Sequence, residues 1–225
     1  MKKIAVIGAG TMGTGIAHIM AQYGLKVSLI DLNEKILAES KRIISINTDR
    51  QLRKGVINEK QKKIILSNII FTKEFNESVK NVELVVEAIP ENFELKKKII
   101  KDLDLICKAN VIISSNTSSL SISSLADKTH YPDRIIGMHF MNPVPVMPLV
   151  EIVVGSSTSK KTVDTIKALT KKINKNPLVV KNSPGFVSNR ILLPMINEAI
   201  ETLSQGVADV YSIDQIMKLG MGHPM

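Results

Sequence analysis

Two groups of residues have types and spacing suited to chemistry. The first is the run Gly8-Ala9-Gly10-Thr11-Met12-Gly13, followed at the end of the next apolar segment by Asp31. Gly8 permits a turn too tight for a side chain, Gly10 lets backbone approach a pyrophosphate, and Gly13 lets a helix pack closely on a strand. Thr11, Met12 and Gly13 open that helix, whose N-terminal N–H groups and positive dipole end favour phosphate. Asp31 can accept hydrogen bonds from both hydroxyls of an adenosine ribose. It would repel a 2′-phosphate, so the acid favours NAD over NADP. The second group is His139, with Asn142-Pro143 following and Glu151 further on. An imidazole near neutral pH can take a hydroxyl proton as hydride leaves carbon. Glu151 could orient the ring and stabilise its charged form. A lone histidine beside an apolar strand is ordinarily a packed core residue; its place at a strand exit favours chemistry. His18, His130 and His223 pair with no other His or Cys at metal-ligand spacing, and no metal is expected.

These residues need elements to hold them. The glycine run sits between an apolar strand at 2–7 and an amphipathic helix at 14–23, with a second strand at 26–30. Further strands are expected at 69–72, 83–87, 111–114, 134–138 and 149–154, with a shorter one at 178–180. Helical patterns lie between them at 93–107, 121–127 and 160–173. Apolar strands alternating with amphipathic helices predict an α/β, Rossmann-type doubly wound and mostly parallel sheet. In such sheets ligands bind beyond the carboxyl ends of the strands. The exits read Glu87-Ala88-Ile89-Pro90-Glu91-Asn92, Ser114-Ser115-Asn116-Thr117-Ser118-Ser119 and Met138-His139-Phe140-Met141-Asn142-Pro143, all rich in small or polar residues.

Asn33 can cap a helix running to Lys54, with Gly55 as its C-terminal glycine, and a second charged helix spans 58–66. The pair reads as a helical hairpin inserted in the sheet domain and protruding from it. It carries Arg50, Arg53, Lys54, Lys60, Lys62 and Lys63, a pattern that is usually a solvated face. At Ser183-Pro184 the pattern changes: serine as cap and proline as first helical residue predict a long helix at 185–204, kinked at Pro194. A short helix follows at 212–219, then a loop at 220–225. A domain boundary near Asn182 divides a cofactor-binding part, 1–182, from the start of an all-α part, 183–225, whose helices cannot bury their own apolar faces.

Composition narrows the function. A chain of 225 residues can bury a substantial core. It has no apolar run of membrane-spanning length and begins with a strand. Its single cysteine, Cys107, suits a reducing cytosol and reads as a buried structural thiol. The net charge of +9 comes with no tryptophan and few other aromatics, which disfavours nucleic acid and suits an anionic small molecule.

The stretches 7–13, 87–92, 115–120, 137–145 and 182–190 together resemble the short-chain 3-hydroxyacyl-CoA dehydrogenase family, within which the bacterial 3-hydroxybutyryl-CoA dehydrogenases look most similar. The resemblance covers essentially the whole chain. It implies reversible, NAD-dependent oxidation of an (S)-3-hydroxyacyl-CoA to a 3-ketoacyl-CoA. By that resemblance His139 is the catalytic base and Glu151 its partner, and Ser118 and Asn189 bind substrate oxygens. Glu91, Lys96, Ser118 and Asn142 line the nicotinamide and ribose region. Arg50, Arg53 and Lys54 become candidate ligands for the phosphates of coenzyme A. Family members continue past Met225 with helices that complete the second domain and form a homodimer. The alternatives are an inactive truncated remnant that still binds cofactor, or another 3-hydroxy-acid dehydrogenase.

Overall fold

The computed structural model describes residues 1–223. Its first strand, β1 (Lys3–Ile7), is buried at every position after the first. That suits a central parallel strand covered on both faces. The glycine turn leads into α1 (Thr11–Gln22) and β2 (Lys26–Ile30). Then follow α2 (Glu34–Arg53), α3 (Glu59–Ser67), β3 (Ile69–Thr72) and α4 (Phe75–Lys80). The second half of the sheet contains β4 (Leu84–Glu87), α5 (Phe93–Ile106), β5 (Ile112–Ser115), α6 (Ile122–Ala126), β6 (Ile135–Phe140), β7 (Leu149–Val154), α7 (Lys160–Lys172) and β8 (Asn176–Lys181). Polar caps set most helix starts: Asn33, Asn92, Ser121 and Ser159 each accept from a first-turn N–H. Asn58 and Gln61 form a reciprocal capping box on α3.

The eight strands form one sheet in the order β3-β2-β1-β4-β5-β6-β7-β8. All neighbours are parallel except β6 and β7. The carboxyl ends of β1, β2, β4, β5 and β6 therefore share one edge. The antiparallel β7 brings its amino end to that same edge.

Several sequence expectations are adjusted. The sixth strand runs on to Phe140, so His139 is a rung of the sheet and not a residue beyond its exit. β8 extends in both directions from the expected core at 178–180, because pairing with β7 carries it from Asn176 to Lys181. The short α4 was not anticipated; Val79 is its one buried residue, too little to generate a periodic pattern. The α2–α3 hairpin does not simply protrude: Leu37, Ile44, Ile57 and Ile65 join the same core as α1 and the sheet. Only its outer face is charged.

The chain divides into two compact units, the first Met1–Ser183 and the second beginning at Pro184. In the second, α8 (Ser188–Ser204) starts later than expected, with Val187 and not Ser183 at the capping position. Gly185 and Phe186 have φ of +69° and +48°, a left-handed backbone that no α-helix contains. Pro194 does lie inside α8. α9 (Val210–Gln215) begins at an Asp209 cap, and a wider helical turn, Ile216–Gly220, replaces the rest of the expected helix and the start of the expected loop. Pro224 and Met225 of that loop lie outside the described residues.

Candidate active site

The glycine turn shows three distinct spatial demands. A Cβ on Gly13 would stand 1.8 Å from the Gly8 carbonyl oxygen, and one on Gly8, at φ +96°, 2.6 Å from that of Ala88. A Cβ on Gly10 would meet nothing within 4 Å. The first two glycines are therefore required by the protein's own backbone, whereas Gly10 faces open space. No side chain caps α1, so the first-turn N–H groups of Thr11, Met12 and Gly13 are directed at that space. Asp31, just past β2, accepts from Ala9 N and Asn33 N at 2.9 Å each, which fixes its carboxylate beside the turn. An open cradle, an uncapped helix start and a fixed acid fit the pyrophosphate and adenosine ribose of a dinucleotide.

Further along the same edge, β6 and β7 place His139 directly opposite Glu151. Opposed residues in an antiparallel pair project to the same face. Here Nδ1 of His139 lies 2.7 Å from Oε2 of Glu151, with both side chains nearly fully buried. The neighbouring β5 exit supports this rung, because Asn116 Oδ1 accepts from Phe140 N at 3.0 Å.

The β4 and β5 exits are tied to each other. Glu91 Oε1 accepts from the Thr117 hydroxyl at 2.5 Å, from Ser118 N at 2.9 Å and from Ser119 N at 3.2 Å. Burial alone would raise the Glu91 carboxyl, but the Thr117 hydrogen bond, the Lys96 charge and the Ser118 N–H outweigh it and hold it below the usual range. Lys96 is buried beneath Glu91. Asn142 lies on the exposed loop after β6, at a cis bond to Pro143. Gly15 of α1 adjoins the same loop: a Cβ there would stand 2.8 Å from Val144 Cβ.

Comparison with known proteins decides the family. Residues 3–183 match the family described as 3-hydroxyacyl-CoA dehydrogenase, NAD binding domain, and residues 185–225 match 3-hydroxyacyl-CoA dehydrogenase, C-terminal domain. The chain belongs to the 3-hydroxyacyl-CoA dehydrogenase family. It is 46% identical to a 3-hydroxybutyryl-CoA dehydrogenase of Clostridioides difficile, over 99% of this chain and 79% of that protein. It is 42% identical to the human mitochondrial hydroxyacyl-coenzyme A dehydrogenase, over 100% of this chain and 73% of that one. The crystal structure of (S)-3-hydroxybutyryl-CoA dehydrogenase from Ralstonia eutropha superimposes with a TM-score of 0.97 at 46% identity, covering 100% of this chain and 79% of that one.

Within this 3-hydroxyacyl-CoA dehydrogenase fold, the structure brings His139 to Glu151, and Glu91 to both Lys96 and the Ser118 turn. Asn189 stands in the first turn of α8, in the second unit. Arg50, Arg53 and the C-cap Lys54 close α2, about 24 to 30 Å along the helix from its start. All three are exposed, and among the described residues none is in an ion pair; the hairpin's ion pairs are Lys62–Asp49, Arg42–Glu39 and Lys73–Glu34. His18 and His130 lie elsewhere, and no group of three possible metal ligands occurs among the described residues. Cys107 is buried at the end of α5, and burial pushes its thiol up, as befits a structural residue. No helix of the described residues is long and apolar enough to cross a membrane.

Sequence reasoning placed Glu87 and Thr117 at the sheet exits without giving either a role of its own, and passed over Gly15. Glu87 carried a signal: a charge closing a fully apolar parallel strand next to the glycine-turn strand needs a buried partner. Gly15 carried none, because the segment it touches is far away in sequence.

Proposed function

We propose that the chain interconverts an (S)-3-hydroxyacyl-CoA, of which 3-hydroxybutyryl-CoA is the candidate, and the corresponding 3-ketoacyl-CoA, with His139 as general acid and base. The observation that carries this reading is the buried His139–Glu151 pair on the sheet edge that also holds the glycine turn. The names of the relatives, 3-hydroxybutyryl-CoA and hydroxyacyl-coenzyme A dehydrogenases, support the substrate class. NAD, when bound, supplies the hydride acceptor at its nicotinamide. The protein's part is to hold the reacting groups and move one proton. With Nδ1 directed to the Glu151 carboxylate, the ring is held in one orientation and Nε2 is the nitrogen that exchanges the proton with the C3 oxygen. Glu151 then stabilises the imidazolium formed on oxidation and keeps the ring aligned for the reverse step.

In this reading Ser118 and Asn189 hold the substrate oxygens, Glu91 and Asn142 face the cofactor, and Arg50, Arg53 and Lys54 meet the phosphates of coenzyme A. Asp31 selects NAD over NADP, since a carboxylate held against the turn repels a second phosphate. A homodimer is the proposed assembly, supported by the exposed Ile191, Leu193 and Ile200 of α8, a helix with no buried residue.

The test is NADH oxidation with acetoacetyl-CoA by the wild-type chain, His139→Gln and Glu151→Gln. We expect His139→Gln to lose on the order of 10²- to 10⁴-fold in kcat while still binding NADH. Glu151→Gln should lose tenfold or more, on the order of 1.4 kcal/mol. Equal rates for the wild type and His139→Gln would remove His139 as the base. A preference for NADPH would overturn the role of Asp31. NADH binding without turnover in any variant would mark the chain as a cofactor-binding protein only.

A further inference from the structure

The last residue of β4 is a carboxylate that the proposed reaction does not use. Glu87 has no exposed surface, and its side chain bonds to the loop after β4, to α5 and to the end of β5. Its Oε1 accepts from Ile89 N and from Lys96 Nζ, each at 2.7 Å, and its Oε2 accepts from the Ser115 hydroxyl at 2.5 Å. Lys96, from the first turns of α5, is only 1% exposed. Its ammonium faces three oxygens: Glu87 Oε1, the Ile89 carbonyl at 3.0 Å and Glu91 Oε2 at 3.3 Å. An ammonium has three N–H donors and no acceptor. Two of its protons go to Glu87 Oε1 and the Ile89 carbonyl, and its charge is shared with the Glu91 carboxylate. The second oxygen of Glu91 holds the turn that carries Ser118. Contact thus runs without a gap from Glu87 through Lys96 and Glu91 to Ser118.

We propose that Glu87 and Lys96 are positioning residues, whose buried ion pair holds Glu91 and, through it, the turn at 117–119 that presents Ser118. This rests on the reading of Ser118 as a residue facing substrate and cofactor. A buried ion pair adds little net stability over apolar groups of equal volume, because desolvation offsets the attraction. What the pair contributes here is direction. It anchors one carboxylate oxygen of Glu91 from behind, so that the other is presented to consecutive N–H groups of the neighbouring loop.

The decisive variant is Glu87→Gln/Lys96→Met, which removes both charges together, leaves no lone buried ion and keeps the volume. Hydrogen exchange followed by mass spectrometry should show the Ser118 and Ser119 amides exchanging about tenfold faster or more, with α7 unchanged. Glu91→Gln, at the exposed end of the chain of contacts, should loosen the same two amides without disturbing the buried pair. In the NADH assay the double variant should lose about 10- to 100-fold in kcat, the scale of a misplaced group. In a Ser118→Ala background it should cost less than in the wild type, a non-additivity that general destabilisation would not produce. Unchanged exchange at Ser118 and Ser119 in both variants would overturn the proposal. An inactive wild-type chain would sink the proposed reaction but leave the exchange measurement to decide this point.

Discussion

Gly10 and Gly13 belong to one turn but lack side chains for opposite reasons. Gly13 is held against the carbonyl of Gly8, so Gly13→Ala forces backbone atoms apart. Gly10 touches nothing within 4 Å and has φ −67°, a value alanine adopts without strain. Gly10→Ala should therefore leave the urea midpoint near wild type while weakening NADH binding, followed by the quenching of NADH fluorescence on titration. Gly13→Ala should lower the midpoint as well, with an unfolding free energy smaller by about 1–3 kcal/mol or more, the usual cost of overpacking. Equal stability loss in both variants would mean that Gly10 serves the fold and not a ligand. His139 was legible in the sequence as an imidazole near a strand end. Glu151 was legible as its candidate partner, but their contact was not, because it is set by register across β6 and β7 and no spacing along the chain encodes it.

At the scale of elements, the antiparallel β6–β7 pair is the main departure from a purely parallel sheet, and it assembles the acid–base pair. Reversal brings the amino end of β7 to the carboxyl end of β6, so one rung supplies both partners. Gly137 is the residue that lets these strands approach: a Cβ there would stand 2.7 Å from Val153 Cβ and 3.1 Å from the side chain of Ile122. Gly137→Ala should cost about 1–3 kcal/mol in urea unfolding, as forced repacking does. It should also lower kcat, by splaying the rung on which His139 sits. A variant with the destabilisation but wild-type kcat would show that the rung tolerates the shift. The sequence signalled that the strand exists, through the apolar run at 134–138. It could not show where the strand stops, since Phe140 is held by the Asn116 side chain of a neighbouring loop.

The whole sheet unit has a single extended core, and α1 is buried within it along with His18. Neither ring nitrogen of His18 has a hydrogen-bond partner among the described residues, and the same is true of Gln51 Oε1. Burial pushes the His18 pKa from 6.5 down to about 4, against a smaller upward pull from Gln51. Above pH 6.5 the ring is neutral in both the folded and the unfolded chain. Below it, the unfolded chain binds the proton first, so stability falls with pH until the folded pKa of about 4 and then levels off. The full span corresponds to about 3 kcal/mol, at about 1.4 kcal/mol per unit. Urea unfolding at pH 7 and pH 5 should show a loss about 2 kcal/mol larger for the wild type than for His18→Leu. Parallel pH dependence in the two chains would overturn that assignment.

The glycine turn, Asp31 and the alternation of apolar strands with amphipathic helices were determined by sequence alone. Each depends on neighbours along the chain: a turn needs its glycines in order, and a parallel sheet needs its crossovers. The family was also legible, because its motifs lie in short contiguous stretches. The tertiary structure alone decided what those residues touch. It set Glu151 against His139 by antiparallel register and packed Gly15 beneath Val144. It also buried Lys96 so that its charge serves Glu87 and Glu91. Those contacts join residues distant in sequence, and their distances follow from sheet order and desolvation, neither of which local pattern can express.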